Sequence, residues 1–127
     1  MNRVVADASA LAAVTFQEPG LDDVKFRLLG AEVFAPRLLQ FEMANVAWER
    51  IRRHPEDALV TLTLLQAAVG EGSAIQWMDV NMTDVVLIAK ATGLTAYDAS
   101  YLWLAGSLGA DLVTLDQRLV AASAADI

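Results

Sequence analysis

Short apolar runs, most of them β-branched, alternate along this chain with longer stretches of helical periodicity. The runs predict strands at 4–6, 33–35, 74–78 and 112–115. The stretches between and after them predict helices at 9–16, 22–29, 37–53, 55–69, 83–92, 96–108 and 116–122. Such alternation implies right-handed crossovers and a parallel sheet covered by helices on both faces, which is an α/β fold.

Glycine and proline mark several of the predicted helix boundaries. Gly30, Gly93 and Gly109 stand where helical periodicity stops, and Pro55 stands where a new helix begins. The length of 127 residues fits a single domain over 1–127, long enough to bury one continuous core.

Composition excludes several classes of protein. The chain has no cysteine, which rules out disulfide scaffolds, zinc-thiolate sites and thiol nucleophiles and favours the reducing cytoplasm. Its longest apolar stretch, 58–69, is too short to span a membrane. A net charge of -7 argues against a nucleic-acid-binding protein with a global positive field, although Arg50, Arg52 and Arg53 could form a local basic patch.

Four acidic residues lie in unusually apolar surroundings. They are Asp7 in VVADASAL, Glu42 in LLQFEMANV, Asp98 in TAYDASYLW and Asp116 in LVTLDQRL. These settings predict positions near the core, where an unpaired carboxylate is costly unless a cation or hydrogen bonds compensate it. A shared cation is therefore the leading hypothesis.

The predicted topology brings these acids to one edge. In open α/β sheets the site lies beyond the carboxyl ends of the strands. Asp7 and Asp116 directly follow predicted strands, Glu42 lies early in the helix after the second strand, and Asp98 lies in the first turn of its helix. Four separate segments should therefore each bring one carboxylate to the same edge.

The residues around these acids resemble those of a known family. The matching segments are Asp7-Ala8-Ser9, Pro36 with Glu42 and Asn45, Tyr97-Asp98-Ala99, and Thr114-Leu115-Asp116. In this order and spacing they are similar to the PIN-domain ribonucleases, and most of all to the VapC-type toxins of toxin–antitoxin modules. The resemblance covers nearly the whole chain.

The resemblance implies a three-layer α/β/α sandwich with a parallel sheet of four to five strands. It further implies acids that bind Mg²⁺ or Mn²⁺ and hydrolyse RNA phosphodiester bonds. Members usually carry a final strand after the last helix, and here we expect a fifth strand to be very short or absent.

The chemistry of hard cations suggests individual roles for the acids. Asp7 and Asp98 are expected as direct ligands, with Asp116 as a third ligand or the holder of a second ion. Glu42 is expected to orient the attacking water. Ser9 and Thr114 are expected to donate hydrogen bonds to the ligating oxygens.

RNA contacts are expected along the third helix. Glu42, Asn45, Glu49 and Arg53 fall on one helical stripe, on which Asn45 would position a water or phosphate. Together with Arg50 and Arg52, Arg53 would meet the RNA backbone.

Two kinds of protein partner are also expected. A hydrophobic content of 56% and a mean hydropathy of +0.42 suggest apolar surface covered by another chain. With the resemblance, they favour a homodimer through helix faces bearing Trp48 or Leu64. The acidic site favours an antitoxin that inserts an Arg and forks onto two carboxylates.

Each acid also has a structural interpretation. Asp7 and Asp98 could cap helices, Asp116 could be a turn residue, and Glu42 could be a solvated helical residue. A catalytically degenerate domain that binds proteins is one alternative for the whole chain. A phosphatase or phosphoacceptor domain is another, although a receiver-like protein would carry adjacent acids near its start and a Lys after a late strand.

Overall fold

The computed structural model describes residues 2–124 and shows an α/β fold built on a parallel sheet. Four strands form the sheet of the described residues, in the spatial order β3-β2-β1-β4. The strands are β1 (Arg3–Ala6), β2 (Glu32–Pro36), β3 (Gln76–Met78) and β4 (Asp111–Val113). The helices are α1 (Ala8–Thr15), α2 (Leu21–Leu28), α3 (Leu38–Arg53), α4 (Ala58–Val69), α5 (Met82–Thr92), α6 (Ala96–Leu108) and α7 (Gln117–Ala124).

Strand register places two polar side chains next to each other at the carboxyl edge. β1 and β4 pair in parallel with Ala6 opposite Val113. The residues that follow, Asp7 and Thr114, therefore leave the sheet side by side, and the Asp7 amide donates to the Val113 carbonyl at 3.3 Å. The register thus builds the predicted acidic edge from two segments far apart in sequence.

Core residues lie on both faces of the sheet because successive strand side chains point to opposite sides. Val4 belongs to a buried cluster with Ala10 of α1 and Val24 of α2. Val5 belongs to a larger cluster that includes Leu39 of α3 and Leu104 of α6. This arrangement is the layered α/β fold predicted from the alternation of strands and helices.

The predicted elements agree with the structure to within a few residues, and three differences have local causes. Pro55–Asp57 forms a short 3-10 helix before α4, in which the Asp57 amide donates to the His54 carbonyl and the Ala58 amide to the Pro55 carbonyl, each three residues back. β4 ends at Val113 instead of continuing to Leu115, because the Thr114 hydroxyl accepts the Asp116 amide and turns the chain. The last helix extends two residues beyond its predicted end.

A fifth strand does not occur within residues 2–124, whose sheet has four strands. Any such strand at 125–127 would lie outside the described residues. In the described part of the chain, no helix combines the length and the apolarity that a membrane crossing requires.

Candidate active site at the carboxyl edge of the sheet

Asp7 is a buried carboxylate that the fold satisfies with hydrogen bonds. Its side chain caps α1 by accepting from the Ala10 amide at 3.0 Å, and it is 4% exposed. Ser9 Oγ donates to Asp7 Oδ1 at 2.7 Å and Thr114 Oγ1 donates to Oδ2 at 2.5 Å. Three donors from two segments therefore compensate the burial of this group.

The hydroxyl groups of Ser9 and Thr114 both donate their protons to Asp7. Ser9 gives its single proton to Asp7 and accepts from the Leu115 amide at 2.9 Å. Thr114 likewise gives its proton to Asp7 and accepts from the Asp116 amide at 3.0 Å. Since each hydroxyl has one proton, the 3.3 Å approach of the two hydroxyl oxygens is a packing contact between oriented groups. Both residues therefore hold the Asp7 carboxylate in a fixed orientation.

Asp98 and Asp116 are more open to solvent than Asp7. Asp98 lies in the first turn of α6, where its backbone amide donates to the Thr95 hydroxyl oxygen at 3.1 Å. Asp116 follows β4, and its Oδ1 accepts the Arg118 amide at 2.9 Å. Both side chains therefore keep carboxylate oxygens that these local bonds do not use.

Glu42 has a partner that the sequence analysis missed. The phenol of Tyr101, which is 1% exposed, donates to Glu42 Oε1 from α6 to α3. Burial raises the pKa of Tyr101, as does the neighbouring Glu42 carboxylate, so the phenol stays protonated and remains a donor. The available signal was spacing, because Tyr101 follows Asp98 by three residues and so shares its side of α6.

The acids are close enough to influence one another's protonation. Burial raises the pKa of Glu42, the Tyr101 hydrogen bond opposes that effect, and the charges of Asp98 and Asp7 add to it. Burial also raises the pKa of Asp98, as do the charges of Asp116 and Asp7, while the Thr95 bond and Arg118 act in the opposite direction. These charge effects link Asp7, Glu42, Asp98 and Asp116.

The donor set of this cluster fits a hard divalent cation. A carboxylate offers about four acceptor positions, and the described contacts of Asp7 fill both on Oδ1 and one on Oδ2. One position on Oδ2 is therefore left for a ligand. Asp98 and Asp116 supply further carboxylate oxygens, which Mg²⁺ and Mn²⁺ prefer.

The most closely spaced group of possible metal ligands in the described residues is not the predicted site. Within residues 2–124 the one group of three acidic or His side chains whose ligand atoms all lie within 4.8 Å is His54, Glu56 and Asp57. That group is exposed and lies between α3 and α4, away from the predicted site. No three of the four acids meet that spacing in the described part of the chain, and a Mg²⁺ site does not require it, because this ion commonly takes one or two carboxylates and retains several waters.

The predicted RNA-contact residues on α3 have different surroundings. Asn45 is exposed one turn beyond Glu42. Arg50 is engaged within the fold, with Nη1 3.2 Å from Glu18 Oε2 and its guanidinium 4.7 Å from the centre of the Phe16 ring. Arg52 pairs with Glu49 at 2.6 Å, and Arg53 is exposed at the end of the helix. Arg50 is thus anchored within the fold, whereas Arg52 and Arg53 lie on the surface.

Comparison with known proteins identifies relatives over most of the chain. A model of the PIN domain family matches residues 4–125. Ribonuclease VapC3 of Pyrobaculum aerophilum is 31% identical over 121 residues, covering 92% of each protein. Exonuclease VapC9 of the same organism is 32% identical over 81 residues, or 64% of this chain and 59% of that protein.

A solved structure has a similar fold. The crystal structure of PAE2754 from Pyrobaculum aerophilum superposes with a TM-score of 0.76 at 26% identity, and the match covers 99% of this chain and 90% of that one.

Proposed function

The chain belongs to the PIN domain family, and its relatives VapC3 and VapC9 are of the VapC type; we propose that it is a Mg²⁺- or Mn²⁺-dependent endoribonuclease. The observation that carries this proposal is the position of Asp7 at the carboxyl edge of the sheet beside β4, with Glu42, Asp98 and Asp116 near enough for charges to act on the pKa values of Glu42 and Asp98. A set of unrelated helix caps and surface acids would have no reason to converge. The name of the VapC3 relative supports RNA as the substrate.

The proposed site contains one carboxylate, that of Asp7, which hydrogen bonds fix in place, and others that are less constrained. Asp7, Asp98 and Asp116 would hold one or two divalent ions, with Ser9 and Thr114 fixing the orientation of Asp7. The bound ion would stabilise negative charge on the scissile phosphate and lower the pKa of the attacking water. These residues would neutralise and position the bound ion, because the cluster has more negative charge than its own hydrogen bonds compensate.

Glu42 would hold and deprotonate the attacking water. Tyr101 occupies Oε1, which leaves Oε2 as the oxygen that faces this task. A general base works best when its pKa lies near the operating pH, and the pKa of Glu42 is displaced upward from its ordinary value. Asn45, one turn further along α3, would contact a water or a phosphate oxygen, and Arg52 and Arg53 would contact the RNA backbone beyond it.

A cleavage assay with matched variants tests this proposal. Purified protein is incubated with linear and with circular single-stranded RNA in Mn²⁺, in Mg²⁺ and in EDTA. Asp98→Asn removes one cluster acid, and Asp22→Asn removes an exposed acid from α2 as a control for net charge. We expect cleavage by the wild type and the control only with metal, and none by Asp98→Asn. Cleavage that persists in EDTA or in Asp98→Asn would overturn the proposal.

The circular substrate decides between two modes of cleavage. One relative has the name Exonuclease VapC9, which makes removal of terminal nucleotides the second candidate. An endonuclease cuts the circle, whereas an exonuclease finds no end on it. A wild type that degrades only the linear RNA would establish the exonuclease and exclude the endonuclease. Absence of cleavage on both, with intact metal binding, would support the alternative of a degenerate, protein-binding domain.

We further propose that the protein is the toxin of a toxin–antitoxin pair and acts in the cytoplasm as one domain over 1–127. Its partner would insert an Arg among Asp98, Asp116 and Glu42 and so displace the metal. Co-expression with that partner should suppress cleavage, and replacing the inserted Arg by Ala should restore it. An Arg-less partner that still inhibits fully would exclude this route.

Homodimerisation is proposed from exposed apolar side chains. Trp48 is 55% exposed on α3 and Leu64 is 39% exposed on α4, where Leu59 and Val60 are also exposed. Burying such a surface is favourable in proportion to its area. Sedimentation should show a dimer at tens of micromolar for the wild type and a monomer for Leu59→Lys. A wild type that stays monomeric would overturn the dimer.

A further inference from the structure

An apolar pocket of about 310 Å³ lies beside the acidic cluster. The end of β2, the segment after β3 and the first turns of α3, α5 and α6 form its walls. Its volume is at the small end of the range for ligand pockets, roughly 300–1,000 Å³. It therefore suits one flat group of modest size.

The pocket and the acids share the start of α6. Ala96, Tyr97 and Ser100 line the pocket, while Asp98 and Tyr101 lie on the adjacent side of the same turns. Consecutive helical residues differ by about 100° in direction and by about 1.5 Å along the axis. An RNA strand that lies across Asp98 would therefore pass directly beside the pocket.

The mouth of the pocket offers an aromatic ring, a flexible thioether and a cation. Tyr97 is 64% exposed and Met82 is 70% exposed, so each has surface available for a ligand. Arg37 also lines the pocket, with Nε 3.3 Å from Asp79 Oδ1, and its side chain is 61% exposed. Its guanidinium therefore has N–H donors beyond Nε that a ligand can reach.

We propose that this pocket binds one unpaired base of the RNA, adjacent to the phosphate at the acidic cluster, with Tyr97 as the stacking surface. The proposal rests on the proposed ribonuclease function and adds a specificity site to it. Bases stack on exposed aromatic rings in single-strand recognition, and each such contact contributes substantially to affinity. Arg37 would contact the phosphate that joins this base to the neighbouring nucleotide.

The combination of groups favours a nucleotide over an apolar side chain of a protein. An apolar side chain would use the walls of the pocket and none of the N–H donors that Arg37 keeps beyond the Nε already paired with Asp79. A nucleotide uses the walls for its base and the guanidinium for its phosphate. The pocket also opens next to the acids through which an RNA strand would pass.

Binding of abasic oligonucleotides tests the proposal separately from cleavage. The probe is a fluorescent single-stranded RNA of eight nucleotides that the wild type binds, with the base deleted at each position in turn. Anisotropy is measured in Ca²⁺, and gels confirm that the RNA is intact. The variants are Tyr97→Ala, Tyr97→Phe and Ala96→Phe, which fills the pocket, with the exposed Phe26→Ala on α2 as the control.

We expect deletion of one particular base to weaken wild-type binding by about tenfold, in the range of a lost stacking contact. Tyr97→Ala and Ala96→Phe should bind the complete RNA about as weakly and lose no more when that base is deleted. Tyr97→Phe and Phe26→Ala should retain the wild-type pattern.

The possible failures are distinguishable. If every abasic position has the same effect, or if Tyr97→Ala keeps the full loss at the sensitive position, the base site is wrong although cleavage can still occur. If the pattern is as expected but Mn²⁺ produces no cleavage, the base site stands and the nuclease function is wrong. If Tyr97→Ala weakens only a protein inhibitor and no RNA, the pocket holds a protein side chain and the proposal is overturned.

Discussion

Asp7 and Asp98 belong to one acidic cluster, but the protein surrounds them differently. Asp7 is 4% exposed and accepts three hydrogen bonds, from Ala10, Ser9 and Thr114. Asp98 is half-buried, and burial and the charges of Asp116 and Asp7 raise its pKa. The comparison distinguishes a carboxylate that hydrogen bonds fix in the folded protein from one whose ionised form is disfavoured by burial and by neighbouring negative charges.

That difference has a functional meaning under the proposed activity. The fixed carboxylate gives the site its geometry before any ion binds, as preorganised sites require. The repelled carboxylates supply the driving force for binding a cation, because a dication removes their mutual repulsion. Both kinds of acid are necessary, so variants of the two should agree in activity and disagree in stability.

The largest expected effect is on cleavage and is shared by both acids. Asp7→Asn and Asp98→Asn should each lower the rate of RNA cleavage in Mn²⁺ by at least about 100-fold, because even the supporting partners of a ligand change activity by about 10–100-fold. Initial rates on a labelled RNA provide the measurement. A variant of either acid with near wild-type activity would remove that residue from the proposed site.

Thr114 and Ser9 come next, since they act only through Asp7. Thr114→Val and Ser9→Ala should each weaken Mn²⁺ binding about 10- to 100-fold, as expected for partners of a ligand. Calorimetric titration of Mn²⁺ measures the change. Thr61→Val, at a buried threonine of α4, provides the control and should bind Mn²⁺ like the wild type. Equal losses in all three variants would indicate a general loss of folding instead.

Stability without metal should separate the two acids by sign. Asp7→Asn keeps the size of the side chain but presents an amide to the Thr114 hydroxyl, and leaving buried donors unsatisfied costs about 1–3 kcal/mol. Asp98→Asn removes a half-buried charge that burial and like-charge repulsion both disfavour, and it should stabilise by less than about 1 kcal/mol. Urea unfolding in EDTA measures both. Destabilisation by Asp98→Asn would show that burial and repulsion do not dominate the energetics of this side chain.

The pH dependence should follow from the acids with raised pKa values. The pKa values of Glu42 and Asp98 lie above the ordinary carboxyl value of about 4. The folded metal-free protein therefore retains protons that the unfolded chain has already released. Their contribution to stability in EDTA therefore decreases as pH rises through that window. The rise in Tm on adding Mn²⁺ should increase over the same window. Thermal melts from pH 4.5 to 7.5 test this, and Asp98→Asn should flatten both trends.

The smallest effect concerns the arginines at the end of α3. Arg53→Ala should weaken RNA binding only a few-fold and lower the salt slope by about 0.7, the value for one phosphate contact on a single strand. Arg50→Ala should act on folding, because its guanidinium contacts Glu18 and Phe16. RNA titrations at several salt concentrations, beside melting curves, distinguish the two. A larger salt effect from Arg50→Ala would reverse these assignments.

Much of the fold was accessible from the sequence, because its signals are local. The alternation of β-branched runs with helical stretches, and the glycines at 30, 93 and 109, gave the strands and helices to within a few residues. The setting of the four acids in apolar sequence also indicated one shared edge. Local periodicity and topology were sufficient for this level of description.

Side-chain partners between distant segments were less accessible. The Tyr101–Glu42 bond joins residues 59 apart in sequence, and the Arg50–Glu18 pair joins residues 32 apart. Such contacts depend on how α3 packs against α6 and α1, which a single sequence does not specify. Ser9 and Thr114 were predicted as donors because they flank acids that were already suspected, whereas Tyr101 was not recognised.

The pairing of Asp7 with Thr114 has a consequence for synthesis of the protein. Asp7 leaves the ribosome more than a hundred residues before its last donor, Thr114, and before the last acid, Asp116. A nascent chain therefore contains no assembled cluster until the segment of β4 has been made. Completion of the site coincides with closure of β4 against β1, so the timing of translation itself separates the making of this protein from the onset of its chemistry.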